Sequence, residues 1–325
     1  MKVKWKGIYS QVKKMPGGGP QGATFGVLEY LAQSNDNAEM VKPEDRYKFV
    51  DDLTALEIIN LLCIQITSYD FYSHVPSDIP VHNGYIDKKK LKSQENLSLI
   101  NQWTKRKKMR LNMKKTKNII FNFTKKHKFT TRLQEEEQNI EVVDKVKLLG
   151  TIITSDLTWT QNTSYLVKKA YRRMQLLHNV AKFSRDKNDL KCIYITFIRP
   201  ILEQSAVVWH SSLSIENSND LERVQKASIR LIMGKIHTNY ENSLKLLGLK
   251  TLKERRIKLC LNFAKKTTRS VKMKHMFPLR KEYRNAKRRF TEMFVVKKAN
   301  TQRLKNSSIP YMQKLLNENQ LKRSY

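Results

Sequence analysis

The chain has 325 residues, 40% of them apolar, and it carries 63 Lys and Arg against 29 Asp and Glu, a formal net charge of +34. That apolar content argues against a disordered chain, and the length allows two domains, or one domain with a long appendage, around a substantial core. A cation surplus this large repels itself and is relieved by a polyanion, so a nucleic acid is the expected partner of a broadly basic surface.

The N-terminal "MKVKWKGIYS" is basic without an apolar run, so no signal peptide is expected there. Within residues 1–125, "MPGGGPQGATFGVLEYL" (Met15 to Leu31) joins a flexible glycine turn to a helical pattern. Its glycines permit close backbone approach, and Gln21 offers both a donor and an acceptor. Next, "RYKFV" is β-prone and runs into Asp51 and Asp52, after which "LTALEII" resumes the apolar character. Two such runs around a short polar turn predict a hairpin with the aspartates at its tip. The longest apolar run, "IINLLCI", is interrupted by Asn60 and is too short to span a bilayer. "SQENLSLINQWTKRKKMRLN" spaces Leu97, Ile100 and Trp103 as a helix with a cap near Ser93, and "NIIFNF" alternates as a strand.

Residues 126–156 hold a basic run, the acidic "QEEEQ" and the apolar "VVDKVKLLGTII". Residues 157–270 read almost wholly as helix. Leu166, Val167, Ala170, Tyr171, Met174, Leu177 and Ala181 predict an apolar stripe, with Lys168, Lys169, Arg172 and Arg173 opposite. A second helix is expected from Asn219 and Asp220 through Leu221, Val224, Leu231 and Ile232 to Gly234. Trp159 and Trp209 read as core residues rather than base-stacking platforms. Residues 271–325 read as a basic tail.

Cys63, Cys192 and Cys260 are far apart and odd in number, which argues for a reducing compartment, the nucleus or cytoplasm, and against secretion. The seven histidines are scattered without ligand spacing, and His127 and His178 read as surface or packing residues. "TKRKKMR" fits a phosphate-facing helix end and also an import signal.

Two carboxylates at a hairpin tip suit divalent metal, as in two-ion phosphoryl transfer, although an Asp-Asp pair alone is common at a solvated turn. In order and spacing, the motifs resemble those of reverse transcriptases of retrotransposons without long terminal repeats. "GGGPQGATFGVLEYL" looks like the motif opening the palm helix, and "FVDD" like the aromatic-X-Asp-Asp hairpin with Val50 in the variable place. Asn112, Lys115 and Thr116 match an Asn-x-x-Lys-Thr pattern, and "VKLLGTIITSDLTW" is similar to the primer-grip hairpin and the thumb entry. "YLVKKAYRRMQLL", "YITFIRPILEQSAVVW" and the closing "SSIPYMQKLLN" resemble thumb and downstream segments.

The resemblance implies an α+β fold: a partial polymerase palm of hairpin sheet and helices over 1–125, then a primer-grip-like hairpin and connection over 126–156. A helical thumb and downstream helices would span 157–270, ahead of the basic tail at 271–325. It implies an RNA template, a DNA primer, deoxynucleoside triphosphates and Mg²⁺ or Mn²⁺ bound by Asp51 and Asp52, with no membrane partner. Gly19, Pro20, Gln21, Gly22 and Phe49 would line the nucleotide and template base, and Leu149 and Gly150 the primer. Lys168, Lys169, Arg172 and Arg173 would contact phosphates. Lys115 would donate a proton to pyrophosphate, or is a lysine on a solvated face.

The family's metal site needs a further aspartate on a strand before the glycine motif, where "MKVKWKGIYSQVKKMP" has no acidic residue. The expectation is therefore a truncated reverse transcriptase, lacking fingers and that strand and inactive unless they are supplied. The alternative is a catalytically dead nucleic-acid-binding remnant.

Overall fold

The computed structural model describes residues 92–108, 110–123, 133–135, 137–184, 186–271, 273–279, 293–296 and 298–321, with short strands at 4–5, 8–9, 46–49, 52–55, 81–82 and 85–86. The fold is α+β, with two-stranded sheets and a predominance of helix. Two compact units divide between Val143 and Asp144. The primer-grip-like hairpin therefore groups with the helices that follow it, and 126–143 with the unit before it.

In the first unit, β1 (Arg46–Phe49) pairs antiparallel with β2 (Asp52–Ala55) in a register that sets Phe49 opposite Asp52. The hairpin read from "RYKFVDDLTA" is thus formed, with Asp52 opening its second strand. α1 (Lys92–Arg106) buries Leu97 and Trp103, as their spacing requires. Its start at Lys92 places Ser93 inside the first turn rather than at a cap. The expected strand "NIIFNF" is confined to Lys117–Asn118, because its partner is only the parallel pair Glu141–Val142.

The second unit opens with β3 (Lys145–Leu148) and β4 (Thr151–Thr154), an antiparallel hairpin closed by Leu149 and Gly150. α2 (Thr160–Phe183) follows and packs along α6 (Ile215–Met233). Leu166, Ala170 and Leu177 are fully buried there, each worth roughly 1–3 kcal/mol by its apolar size. Val167, Met174 and Ala181 are partly buried against the same core. Tyr171 departs from the expected stripe and is exposed.

α3 (Lys187–Ile193) runs directly into a π-helical turn, Tyr194–Ile198, and then α4 (Arg199–Glu203). Pro200 explains the widened turn. Its ring excludes the carbonyl four residues back, and the ladder relaxes to a five-residue bond from Arg199 N–H to Tyr194 O. The wide turn still brings Tyr194, Ile198 and Leu202 to the interior, all fully buried. The chain then reverses at Ser205, whose φ is +53°, into α5 (Ala206–Trp209). Trp209 is wholly buried and donates its indole N–H to Gln204 O at 2.9 Å, so it belongs to the core as its sequence context suggested.

α6 begins at Ile215, capped by Ser214, whose hydroxyl accepts from Asn217 N–H at 3.1 Å. This start lies before the expected one at Asn219, and the stop at Gly234 is as expected. α7 (Tyr240–Leu247) ends at left-handed Gly248, and α8 (Leu252–Thr267) opens with a Thr251–Glu254 capping box. Between them Gln225 donates to Tyr240 Oη at 2.7 Å and Lys250 O at 3.1 Å, and accepts from Tyr194 Oη. Glu222 accepts from Tyr240 Oη and from Leu252 N–H, tying three helices by polar contacts inside the core.

Arg256 is buried to 0% exposure. Its Nε–H donates to His210 Nδ1 at 3.3 Å, its Nη2 to Ser218 Oγ at 2.9 Å, and its guanidinium stands 5.9 Å from the Trp209 ring centre. The bond requires a neutral imidazole at His210.

Residues 271–325 were expected to form a basic tail, yet α9 (Ser308–Leu321) is a packed element. Met312 and Leu316 join Cys260, Ala264, Phe277 and Phe294 in a second apolar cluster against α8. Asn317 serves as a local strand partner: it accepts from Phe294 N–H at 2.9 Å and donates to Phe294 O at 3.0 Å.

Candidate nucleic-acid interface

α2 carries Lys168, Lys169, Arg172, Arg173 and Lys182, and no acidic residue in its 24 residues. Lys168, Arg172 and Arg173 are exposed and Lys169 is half-buried. The pairs Lys168–Arg172 and Lys169–Arg173 stand four residues apart, where like charges face each other one turn away. Nothing within the helix neutralises this strip.

The hairpin adds a further cation. Along β3 the exposed positions are Lys145 and Lys147, while Val146 and Leu148 are half-buried. Lys147 Nζ donates to Tyr165 Oη at 2.9 Å and lies 4.7 Å from the centre of that ring. Lys169, one turn further along α2, stands 5.9 Å from the same ring. The hydrogen bond from Lys147, with the positive charges of Lys147, Lys169 and Arg172, holds the Tyr165 phenol below its ordinary pKa. Tyr165 thereby gathers cations from two elements. Its ring is already flanked by ammonium groups, so it organises charge better than it could stack a base.

The hairpin is fixed against α2 at both ends. Asn162, almost fully buried, accepts from Ile152 N–H at 3.1 Å. Asp156 accepts from Thr158 N–H and Oγ1, both at 3.0 Å, and hydrogen bonds from Thr154 and Thr158 keep its carboxyl below the usual range. At the turn, Leu149 has φ +47° and is half exposed, and Gly150 has φ +81°. A Cβ on Gly150 would stand 2.3 Å from Gln204 Nε2, the movable tip of a flexible side chain, so it is the positive φ that calls for glycine here. Thr151 Oγ1 donates to Ser205 Oγ at 2.9 Å. The tip thus rests on the corner between α4 and α5.

The other expected site residues are placed as follows. Lys115 is exposed in a turn where its own N–H donates to Asn112 O at 3.0 Å and Asn112 Oδ1 at 3.1 Å. The Asn-x-x-Lys-Thr spacing therefore has a local reason, since the asparagine caps the turn. Phe49 and Asp52 flank the β1–β2 turn. Gly19, Pro20, Gln21, Gly22 and Asp51 lie outside the described residues, as do Cys63 and His127. Among the described residues there is no cluster of three or more His, Cys, Asp or Glu that could hold a metal ion, and no helix long and apolar enough to cross a membrane.

Sequence reasoning passed over Lys147 and Tyr165. Alternation of Lys145 and Lys147 in a β-prone run was the available signal for the first, and Tyr165 four residues before Lys169 for the second.

No family model matches this chain, and neither a curated protein nor a solved structure is detectably similar to it.

Proposed function

We propose that this chain is a nucleic-acid-binding protein of reverse-transcriptase lineage which, as it stands, binds template and primer without extending them. What carries the binding half is the unneutralised strip on α2, joined at Tyr165 by Lys147 from the hairpin. Four to five cations on one rigid surface attract a phosphate backbone irrespective of base sequence. What supports the lineage is the motif order in the sequence: the glycine motif, the Asp51–Asp52 hairpin and the Leu149–Gly150 hairpin ahead of a basic helix.

In this reading Asp51 and Asp52 would hold Mg²⁺ at the end of the β1–β2 hairpin, where the ion would activate a primer hydroxyl and offset charge on the leaving pyrophosphate. The fit is partial. Asp51 and Asp52 supply two carboxylates, whereas a two-ion site takes a further one, and no catalytic step is assigned to this chain.

The test is primer extension on an RNA template with Mg²⁺ or Mn²⁺, run beside binding of the same duplex over a salt series. Salt-sensitive binding without extension is the expected result. Extension that Asp51→Asn abolishes would replace this reading with an active polymerase whose site is completed elsewhere. Binding indifferent to salt would remove nucleic acid altogether.

A further inference from the structure

A groove of about 510 Å³ lies between the start of α3, the end of α6 and the end of α7, on residues that the proposed nucleic-acid surface does not use. Its floor is aliphatic: Met233 and Leu247 are nearly buried. Its rim is aliphatic too, with Ile236 at 55% and Leu246 at 69% exposure. Two large aliphatic side chains thus stand exposed beside an open cleft, where a partner's apolar side chains could cover them.

The polar rim is basic. Lys187 and Lys191 line the groove, and among the described residues neither takes part in an ion pair. The ammonium of Lys191 leans towards the end of α7, 4.0 Å from where a Cβ on Gly248 would stand. Among the described residues Asp186 is the one lining carboxylate, and its Oδ1 accepts from Asn188 N–H at 2.8 Å. The groove therefore offers aliphatic contact and a rim that is positive on balance, two ammonium groups against one carboxylate.

We infer that this groove binds an acidic amphipathic peptide segment of a protein partner, its aliphatic side chains on Met233, Ile236, Leu246 and Leu247 and its carboxylates on Lys187 and Lys191. Helix-in-groove recognition has this chemistry, and the volume falls in the range of sites that seat a few side chains. A nucleic acid suits the groove less well. Among the described residues its lining has no aromatic ring for base stacking, and an aliphatic floor is wasted on a sugar-phosphate backbone.

The experiment uses the full chain and a fluorescent peptide of roughly 16 residues, with leucines at helical i, i+3, i+4 and i+7 spacing and glutamates on the other face. Anisotropy is read at near-physiological salt, where distant charges are screened. The expected result is a loss of about tenfold or more in affinity for Ile236→Ser with Leu246→Ser, and again for Lys187→Ala with Lys191→Ala. A peptide with serines for leucines should bind the parent protein about tenfold more weakly. These four side chains are at the surface or half-buried, so unchanged circular dichroism should accompany each variant. Peptide affinity that ignores both double variants would mean general attraction to the cationic chain and would overturn the inference. So would a single-stranded oligonucleotide that loses more affinity than the peptide in the Ile236/Leu246 variant. Substituting Lys169 and Arg172 should leave peptide affinity unchanged, which separates this inference from the nucleic-acid reading.

Discussion

At the hairpin turn, Leu149 holds a positive φ that suits asparagine or glycine better than a γ-branched side chain, and Gly150 completes a two-residue turn of the type I′ kind. Leu149→Asn should therefore stabilise the protein by about 0.5–1 kcal/mol, read as a higher midpoint in urea. Gly150→Ala should do the reverse, costing about 1–3 kcal/mol from strain plus the Gln204 contact. In a Gln204→Ala background the contact disappears and the strain stays, so the penalty should shrink without vanishing; an unchanged penalty would show that the contact carries no energy. His210 sets a pH dependence. Burial, then the nearby charges of Arg256 and Lys253, press its pKa from 6.5 to about 4. The native state keeps the ring neutral while the unfolded chain takes up a proton, so this contribution is complete above pH 6.5 and lost as pH falls towards 4. The slope is at most about 1.4 kcal/mol per pH unit. Melting His210→Gln beside the parent across that range isolates it: the two curves should converge at low pH.

Among elements, α2 sets stability against binding. Its paired cations repel along the helix, so Lys168→Glu, which places a carboxylate one turn before Arg172, should raise stability by about 0.5–1 kcal/mol. The same change should weaken nucleic-acid binding, and a variant gaining in both measurements would show that this face does not meet phosphate. The buried stripe of α2 was legible because Leu166, Ala170 and Leu177 repeat at helical spacing and their burial follows from period alone. The start of α6 was less so. Its cap is Ser214, but Ile215 beside it is 83% exposed, so the apolar pattern begins only at Leu221 and drew the expected boundary too far along. α9 escaped notice for a related reason. Its buried face mixes Met312 and Leu316 with Gln313 and Asn317, whose amides serve the backbone of the short helical turn ending at Met276 and of Phe294. A polar residue satisfied by a distant backbone looks, in sequence, like a solvated one.

For the whole molecule the net charge of +34 makes binding a function of ionic strength. Replacing Lys168, Lys169, Arg172 and Arg173 together with alanine should reduce the slope of log affinity against log salt by about 3–4, if each meets a phosphate. An unaltered slope would move the contact elsewhere on the basic surface. The candidate site was half legible: the cations of α2 stand in the sequence, but their meeting with Lys147 over Tyr165 depends on a hairpin folded against the helix, and the Gln204 corner beneath Gly150 lies far along the chain. The division of the second unit into two apolar clusters also orders its making. On the ribosome, Cys260 and Ala264 on α8 emerge about fifty residues before Met312 and Leu316, which cover them. At ~5–20 residues per second the underside of α8 waits roughly 3–10 s for its cover, so the first cluster can close during synthesis while the second stays open to whatever apolar chain is nearest.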